Sequence, residues 1–220
     1  MFSKPMAKVM TAFVLGVVLC LSAWPAASAD AKTMRLGGGA VAFEIVGEVN
    51  NSAPAIVPAT SEIFGYLSDV PGIDLVFSDS DPTHQNESTA LLTFDTAATT
   101  TRTTTHGPFK IIDRDGTTTV YLNNGPSDFS DPATFRQGTP IQVSSFHQQV
   151  IVDTVESTFT VVNSNTVVSS SKFAIGNTTY LLYKPGQHLR TTLQGVLAKR
   201  NGGSPPPTGF FSGYAVEAGK

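Results

Sequence analysis

Apolar and polar positions alternate with a period of two through most of this chain, the pattern of strands with one buried face. In AVAFEIVGEV, residues 40–49, Val41, Phe43 and Ile45 fall on one side and Ala42, Glu44 and Val46 on the other. Residues 61–67 read as a short strand, VPG at 70–72 as a turn, and 73–77 as a further strand. After the polar loop SDSDPTHQNES, the segment TALLTFD alternates again, with Ala90, Leu92 and Phe94 sharing a face. Residues 96–105 then hold seven threonines in ten positions. Threonine is β-branched and suits strands, so this stretch predicts an exposed hairpin or edge.

FKIIDRDGTTTVYLN gives the strongest local signal: Asp115 and Gly116 form a tight-turn pair between two β-rich runs, which predicts a hairpin turning there. IQVSSFHQQVIVDTV, STFTVVNSNTVVSSS and TTYLLYK are three more strand candidates. Leu189, Leu193 and Leu197 stand four apart, as on a helix, but Thr191, Thr192 and Gly195 between them favour a strand with 189, 191, 193, 195 and 197 on one face. The Pro/Gly-rich stretch NGGSPPPTG, 201–209, is a loop inside the fold, because the single strand after it, 210–216, has to pair back into a sheet.

These elements add up to an all-β chain without a helix, organised as a single antiparallel domain over 40–220. A closed barrel and a β-sandwich both fit regularly spaced short strands. The run of hairpin-linked strands from Ala90 to Leu197 reads as a meander and favours the barrel, since closure removes exposed sheet edges. Thr, Ser, Asp and Gln at outward positions argue against a lipid-facing barrel wall.

The N-terminus changes the picture of where such a barrel works. Lys4 and Lys8 precede an apolar run from Val9 to Ala23, Trp24 and Pro25 break it, and Ala27, Ser28 and Ala29 supply a small-residue cleavage site before Asp30. Residues 1–29 therefore read as a signal peptide cut between Ala29 and Asp30, with 30–39 a flexible, glycine-ended lead. The apolar run, about 15 residues, is shorter than the ~20 needed to span a bilayer, so no stable membrane span is expected after cleavage. The expected location is secreted or periplasmic. Cys20, the single cysteine, leaves with the leader, and the mature chain can form no disulfide. Its stability has to come from sheet pairing and core packing, which a chain of this size supports by burying about 70% of its unfolded surface. All 17 acidic residues remain after cleavage against twelve basic ones, a balance of −5 without a basic run. That argues against nucleic acid and anionic membrane surfaces as partners. Nothing in the sequence sets an oligomeric state.

Candidate chemistry is sparse. His84, His106, His147 and His188 are far apart in sequence, with none of the spacing of a zinc site. The pairs Asp79/Asp81 and Asp113/Asp115 resemble pieces of a calcium loop, but no closing glutamate follows, and Asp is a usual turn former. No G-x-S-x-G is present, and neither a metal nor a cofactor is implied. His147 and Asp153, in line with Gln149 and Ile151 on one strand face, are the candidates for acid and base work. Phe94, Ile111, Tyr121, Val150, Phe159 and Leu193 are the candidates to line an interior that holds a small apolar ligand.

TALLTF, HGPFKI and the terminal GFFSGYAV, within residues 88–216, resemble the small exported barrels of the allene oxide cyclase and dirigent group, which likewise carry a strand ending in a Gly-Pro step and a late glycine-aromatic segment. The resemblance implies an eight-stranded barrel around an apolar cavity that binds or cyclises hydrophobic small molecules. No position matches a catalytic motif of that group, so it transfers no catalytic residue. Three readings follow: a carrier of a small apolar ligand, a cyclase or isomerase using His147 or Asp153 at the cavity mouth, and a surface or matrix protein presenting the threonine-rich face of 96–105.

Overall fold

The computed structural model describes residues 31–33, 39–52, 57–198 and 208–218. Eleven strands occur among them: β1 (Lys32–Thr33), β2 (Val41–Asn51), β3 (Thr60–Asp69), β4 (Leu92–His106), β5 (Phe109–Leu122), β6 (Thr139–Asp153), β7 (Thr158–Ser170), β8 (Phe173–Ile175), β9 (Thr178–Leu181), β10 (His188–Ala198) and β11 (Thr208–Glu217). Eight of them close into a barrel in the order β10-β11-β2-β3-β4-β5-β6-β7, with every neighbouring pair antiparallel. β1, β9 and β8 form a separate three-stranded sheet. Part of the lead expected to be flexible is thus β1, pairing in parallel with β9. The leader 1–29 with its cleavage point at Ala29 and Asp30, and the loop residues 201–207, lie outside the described residues.

The sharpest difference from the sequence reading is at Asp115 and Gly116. No turn occurs there: β5 runs unbroken through both, paired to β4 on one side and β6 on the other. The chain reverses earlier, between His106 and Phe109, where Gly107 takes a left-handed φ of +56°. Gly116 is required for a different reason. It stands directly opposite Phe146, and a Cβ at 116 would lie 2.5 Å from that ring. The same arrangement recurs at Gly47 opposite Phe211 and at Gly195 opposite Phe159. Each aromatic ring lies over a bare stretch of neighbouring backbone, which lets large side chains turn along the inner wall of a small barrel.

One further expectation shifts. Residues 73–77 are not a strand; a single bridge from Phe77 to Ala90 marks the segment, yet Ile73, Val76 and Phe77 are buried as part of the core. The threonine-rich run, expected as an exposed hairpin or edge, is found as one: it continues TALLTF in one strand, β4, and forms one arm of the β4–β5 hairpin. Pairing with β3 ends at Thr60 opposite Thr99, and beyond Thr100, whose N–H donates to the Ala59 carbonyl at 2.8 Å, β4 pairs only with β5, so the β4–β5 hairpin projects beyond the wall, exposed from Thr101 to its tip.

One end of the barrel is closed. Ala42, Leu67, Val70, Leu92, Leu182 and Tyr183 are buried there, and the Tyr183 hydroxyl donates to the Ala42 carbonyl at 2.9 Å. On the outer wall the 3-10 turn Pro132–Arg136 covers β3 and β4: the Phe135 ring stacks on Phe64 and Phe129, and buried Thr93 Oγ1 donates to the Phe135 carbonyl at 2.8 Å. No helix among the described residues is long and apolar enough to cross a membrane.

Candidate functional site

At the opposite end the interior opens into a cavity of about 360 Å³, within the size range of small-molecule sites. Because strands alternate their side chains, each wall strand sends every second residue inward. β6 contributes Gln148, Val150 and Val152; β7 Phe159 and Val161; β10 Leu193 and Leu197; β11 Phe211. β2 and β3 add Val49, Asn51, Ser61 and Ile63, and the projecting hairpin adds Thr100, Thr103, Lys110 and Ile112 at the rim. The lining is therefore predominantly apolar and is segregated. β6, β7, β10 and β11 form an apolar wall, whereas the hydroxyl, amide and cationic groups gather on β2 to β5 with Gln148 beside them.

Among the polar groups, Arg114 stands apart. It projects inward from β5, is only 7% exposed, and reaches across the barrel so that Nη2 donates to Asn51 Oδ1 at 2.9 Å and Nη1 to Gln148 Oε1 at 3.4 Å. Asn51 is held in place in turn, accepting from Ser61 Oγ at 2.7 Å. The Nε of Arg114 has no hydrogen-bond partner among the described residues. No carboxylate pairs with this guanidinium among them, and none lines the cavity. Burial pushes its pKa down to about 10, which leaves it cationic at neutral pH.

Below this layer a second, smaller space of about 60 Å³ shares Ile63, Gln148, Leu193 and Phe211 with the first. Its lining is more polar, with Thr96 bonded to Thr118 at 2.8 Å and Asn165 Nδ2 donating to Thr191 Oγ1 at 2.9 Å and to the Leu189 carbonyl at 3.1 Å. Gln142 Oε1 and Asn163 Oδ1 are buried there without a partner among the described residues. A space of that size suits about two waters.

Of the candidate lining residues, the structure places Val150, Phe159 and Leu193 on the large cavity and Phe94 on the small one. Ile111 and Tyr121 line neither. They alternate with Ile112 and Val120, which do, so they belong to the outer face of β5. His147 and Asp153 are likewise outside. His147 Nδ1 meets Asp115 Oδ1 at 2.8 Å on the exposed wall, and Asp153 Oδ1 accepts from the backbone N–H groups of Val155 and Glu156 at 2.9 and 3.1 Å, shaping the β6–β7 turn. The other histidines are dispersed over the surface, and among the described residues no three His, Cys, Asp or Glu side chains gather closely enough to hold a metal ion. Asp79 and Asp81 act in turn formation: Asp79 accepts from the Asp81 N–H and contacts His84, and Asp81 caps the 3-10 turn Pro82–His84.

Sequence reasoning missed Arg114 because it placed a turn one residue beyond it. Once β5 is continuous, the inward set reads Lys110, Ile112, Arg114, Gly116, Thr118 and Val120, and the parity of Thr118 and Val120 alone assigns Arg114 to the interior. No model of a known protein family matches the chain, and neither does any curated protein or solved structure.

Proposed function

We propose that this barrel is an exported carrier that holds one small, largely apolar molecule in its open-ended cavity without transforming it. The observation that carries the reading is the cavity itself, about 360 Å³ in volume with Val49, Ile63, Val150, Phe159, Leu193 and Phe211 on its walls. Apolar burial of this kind stabilises a bound ligand by about 25 cal/mol for each Å² removed from water. Binding is favoured over chemistry because the described lining residues offer no imidazole, thiol or carboxylate, and His147 and Asp153 face away from the cavity. The threonine-rich hairpin takes its place in this reading as the rim, since Thr100 and Thr103 line the mouth.

Titration with N-phenyl-1-naphthylamine, a neutral apolar fluorophore, tests the proposal. Wild-type protein is expected to give saturable enhancement at one probe per chain, and Val150→Trp, which fills the cavity, to remove it. Absence of saturable binding, or undiminished binding by a folded Val150→Trp variant, overturns it.

A further inference from the structure

An apolar cavity has no use for an uncompensated cation in its wall. A guanidinium taken from water without a counter-charge carries a large desolvation penalty, and the next inward pair on β5 and β6, Ile112 and Val150, shows that apolar side chains fit the same wall. Arg114 nevertheless sits there 93% buried, since it is 7% exposed. Its two bonds go to neutral amides, one of them at 3.4 Å. A guanidinium has five N–H donors, so these two bonds leave Nε and one N–H on each terminal nitrogen without a described partner. Among the described residues the cavity lining carries two cations, Arg114 inside and Lys110 at the rim, and no Asp or Glu, in a chain whose overall charge is acidic.

We propose that Arg114 receives the carboxylate of an amphipathic acid, whose apolar body lies against the β6, β7, β10 and β11 wall. This inference rests on the carrier reading and adds the chemical class of the ligand. The planar fork of a guanidinium matches the two oxygens of a carboxylate, and a charge-assisted pair is stronger in a water-poor site than at the surface. A single negative charge fits better than two. One buried cation neutralises a carboxylate, whereas a phosphate dianion would bring surplus charge between apolar walls. The segregated lining supports the same orientation: hydroxyls and amides of Ser61, Asn51 and Gln148 surround the head, and Val150, Phe159 and Leu193 face the body. Lys110 is four residues toward the rim on the same strand face, roughly 13 Å away along the strand, so it acts at the entrance and not on the head group.

The competing role for Arg114 is that of a brace between β5 and β2, and calorimetry on the full mature chain, stripped of bound lipid, separates the two. Decanoate and its neutral counterpart 1-decanol are titrated into wild type, Arg114→Met and Arg114→Lys. Wild type is expected to bind decanoate at least about tenfold more tightly than 1-decanol. Arg114→Met is expected to lose that preference while keeping its affinity for 1-decanol, and Arg114→Lys to retain part of it. Equal affinities of wild type for the two compounds overturn this inference and leave the carrier reading intact. A parallel loss of both affinities in Arg114→Met assigns the brace and overturns it as well. Failure of wild type to bind either compound overturns the carrier reading itself. The wild-type comparison decides the matter even if Arg114→Met does not fold.

Discussion

Phe159 on β7 stands directly opposite Gly195 on β10, and its ring occupies the space that a side chain at 195 would fill. The same ring also reaches Gly209 on β11, where a Cβ would come within 2.8 Å of it. One phenyl group therefore covers two strands' worth of bare backbone and forms part of the cavity wall at the same time. Fold and site are coupled at this residue. Phe159→Ala is expected to lower stability by about 3–5 kcal/mol in urea denaturation and to enlarge the cavity, so that probes too bulky for wild type gain affinity in the variant.

Gly116 gives the second test, because the two readings of that position differ in what they predict. At a turn position with a left-handed φ, alanine in place of glycine would cost about 1–2 kcal/mol. In the middle of β5 the added Cβ meets both the Phe146 ring and the carbonyl of Ala97, and the carbonyl is backbone that cannot swing aside. Gly116→Ala is expected to cost more than about 2 kcal/mol by chemical denaturation. Gly107→Ala, at the hairpin tip where nothing crowds a Cβ and only the left-handed φ resists, is expected to cost about 1 kcal/mol.

The contrast at these two glycines also shows what was legible in the sequence. Period-two alternation located most barrel strands, including β10, where Leu189, Thr191 and Leu193 share the buried face as expected. Strand closure followed from the hairpin-linked meander. What alternation does not carry is the register between strands, and Gly116 shows why: a glycine beside aspartate is a turn signal locally and a packing device nonlocally. Misreading it reversed the assigned faces of β5, which exchanged Ile111 for Ile112 and concealed Arg114. Segment 73–77 failed for a related reason. Its apolar residues are buried in a loop held by a single bridge from Phe77 to Ala90, with Phe77 packed edge-on against Tyr66, and burial without pairing leaves the same composition as a strand.

On the outer wall, buried Asp113 accepts from Arg102 Nε at 2.6 Å and from Gln149 Nε2 at 3.4 Å. The Arg102 hydrogen bond is the largest influence holding this carboxyl below its ordinary range, with burial opposing it. A depressed folded-state pKa stabilises the fold at pH above the ordinary carboxylate range, and that contribution disappears as pH falls through the depressed value. Arg102→Ala is therefore expected to be destabilised relative to wild type near neutrality, with the difference shrinking to zero in acid. Denaturation midpoints of both proteins across that range check the sign.

Arg114→Met is expected to melt at or above the wild-type temperature in the absence of ligand. The substitution removes a buried charge that lacks a counter-ion and fills the same volume with apolar atoms, a change that is neutral to stabilising where a buried charge serves binding more than folding. Differential scanning calorimetry of the ligand-free proteins provides the check; a large drop would identify Arg114 as a brace.

The most direct test of the central claim is a methyl-resolved NMR titration of residues 30–220 with 1-decanol, which reads where an apolar ligand goes irrespective of its head group. The carrier reading predicts saturable shifts concentrated on aliphatic residues of the cavity such as Val49, Ile63, Ile112, Val150, Val161 and Leu193. Shifts confined to the exposed outer-face residues Val168 and Val196, or no saturable shift at any methyl, would contradict it.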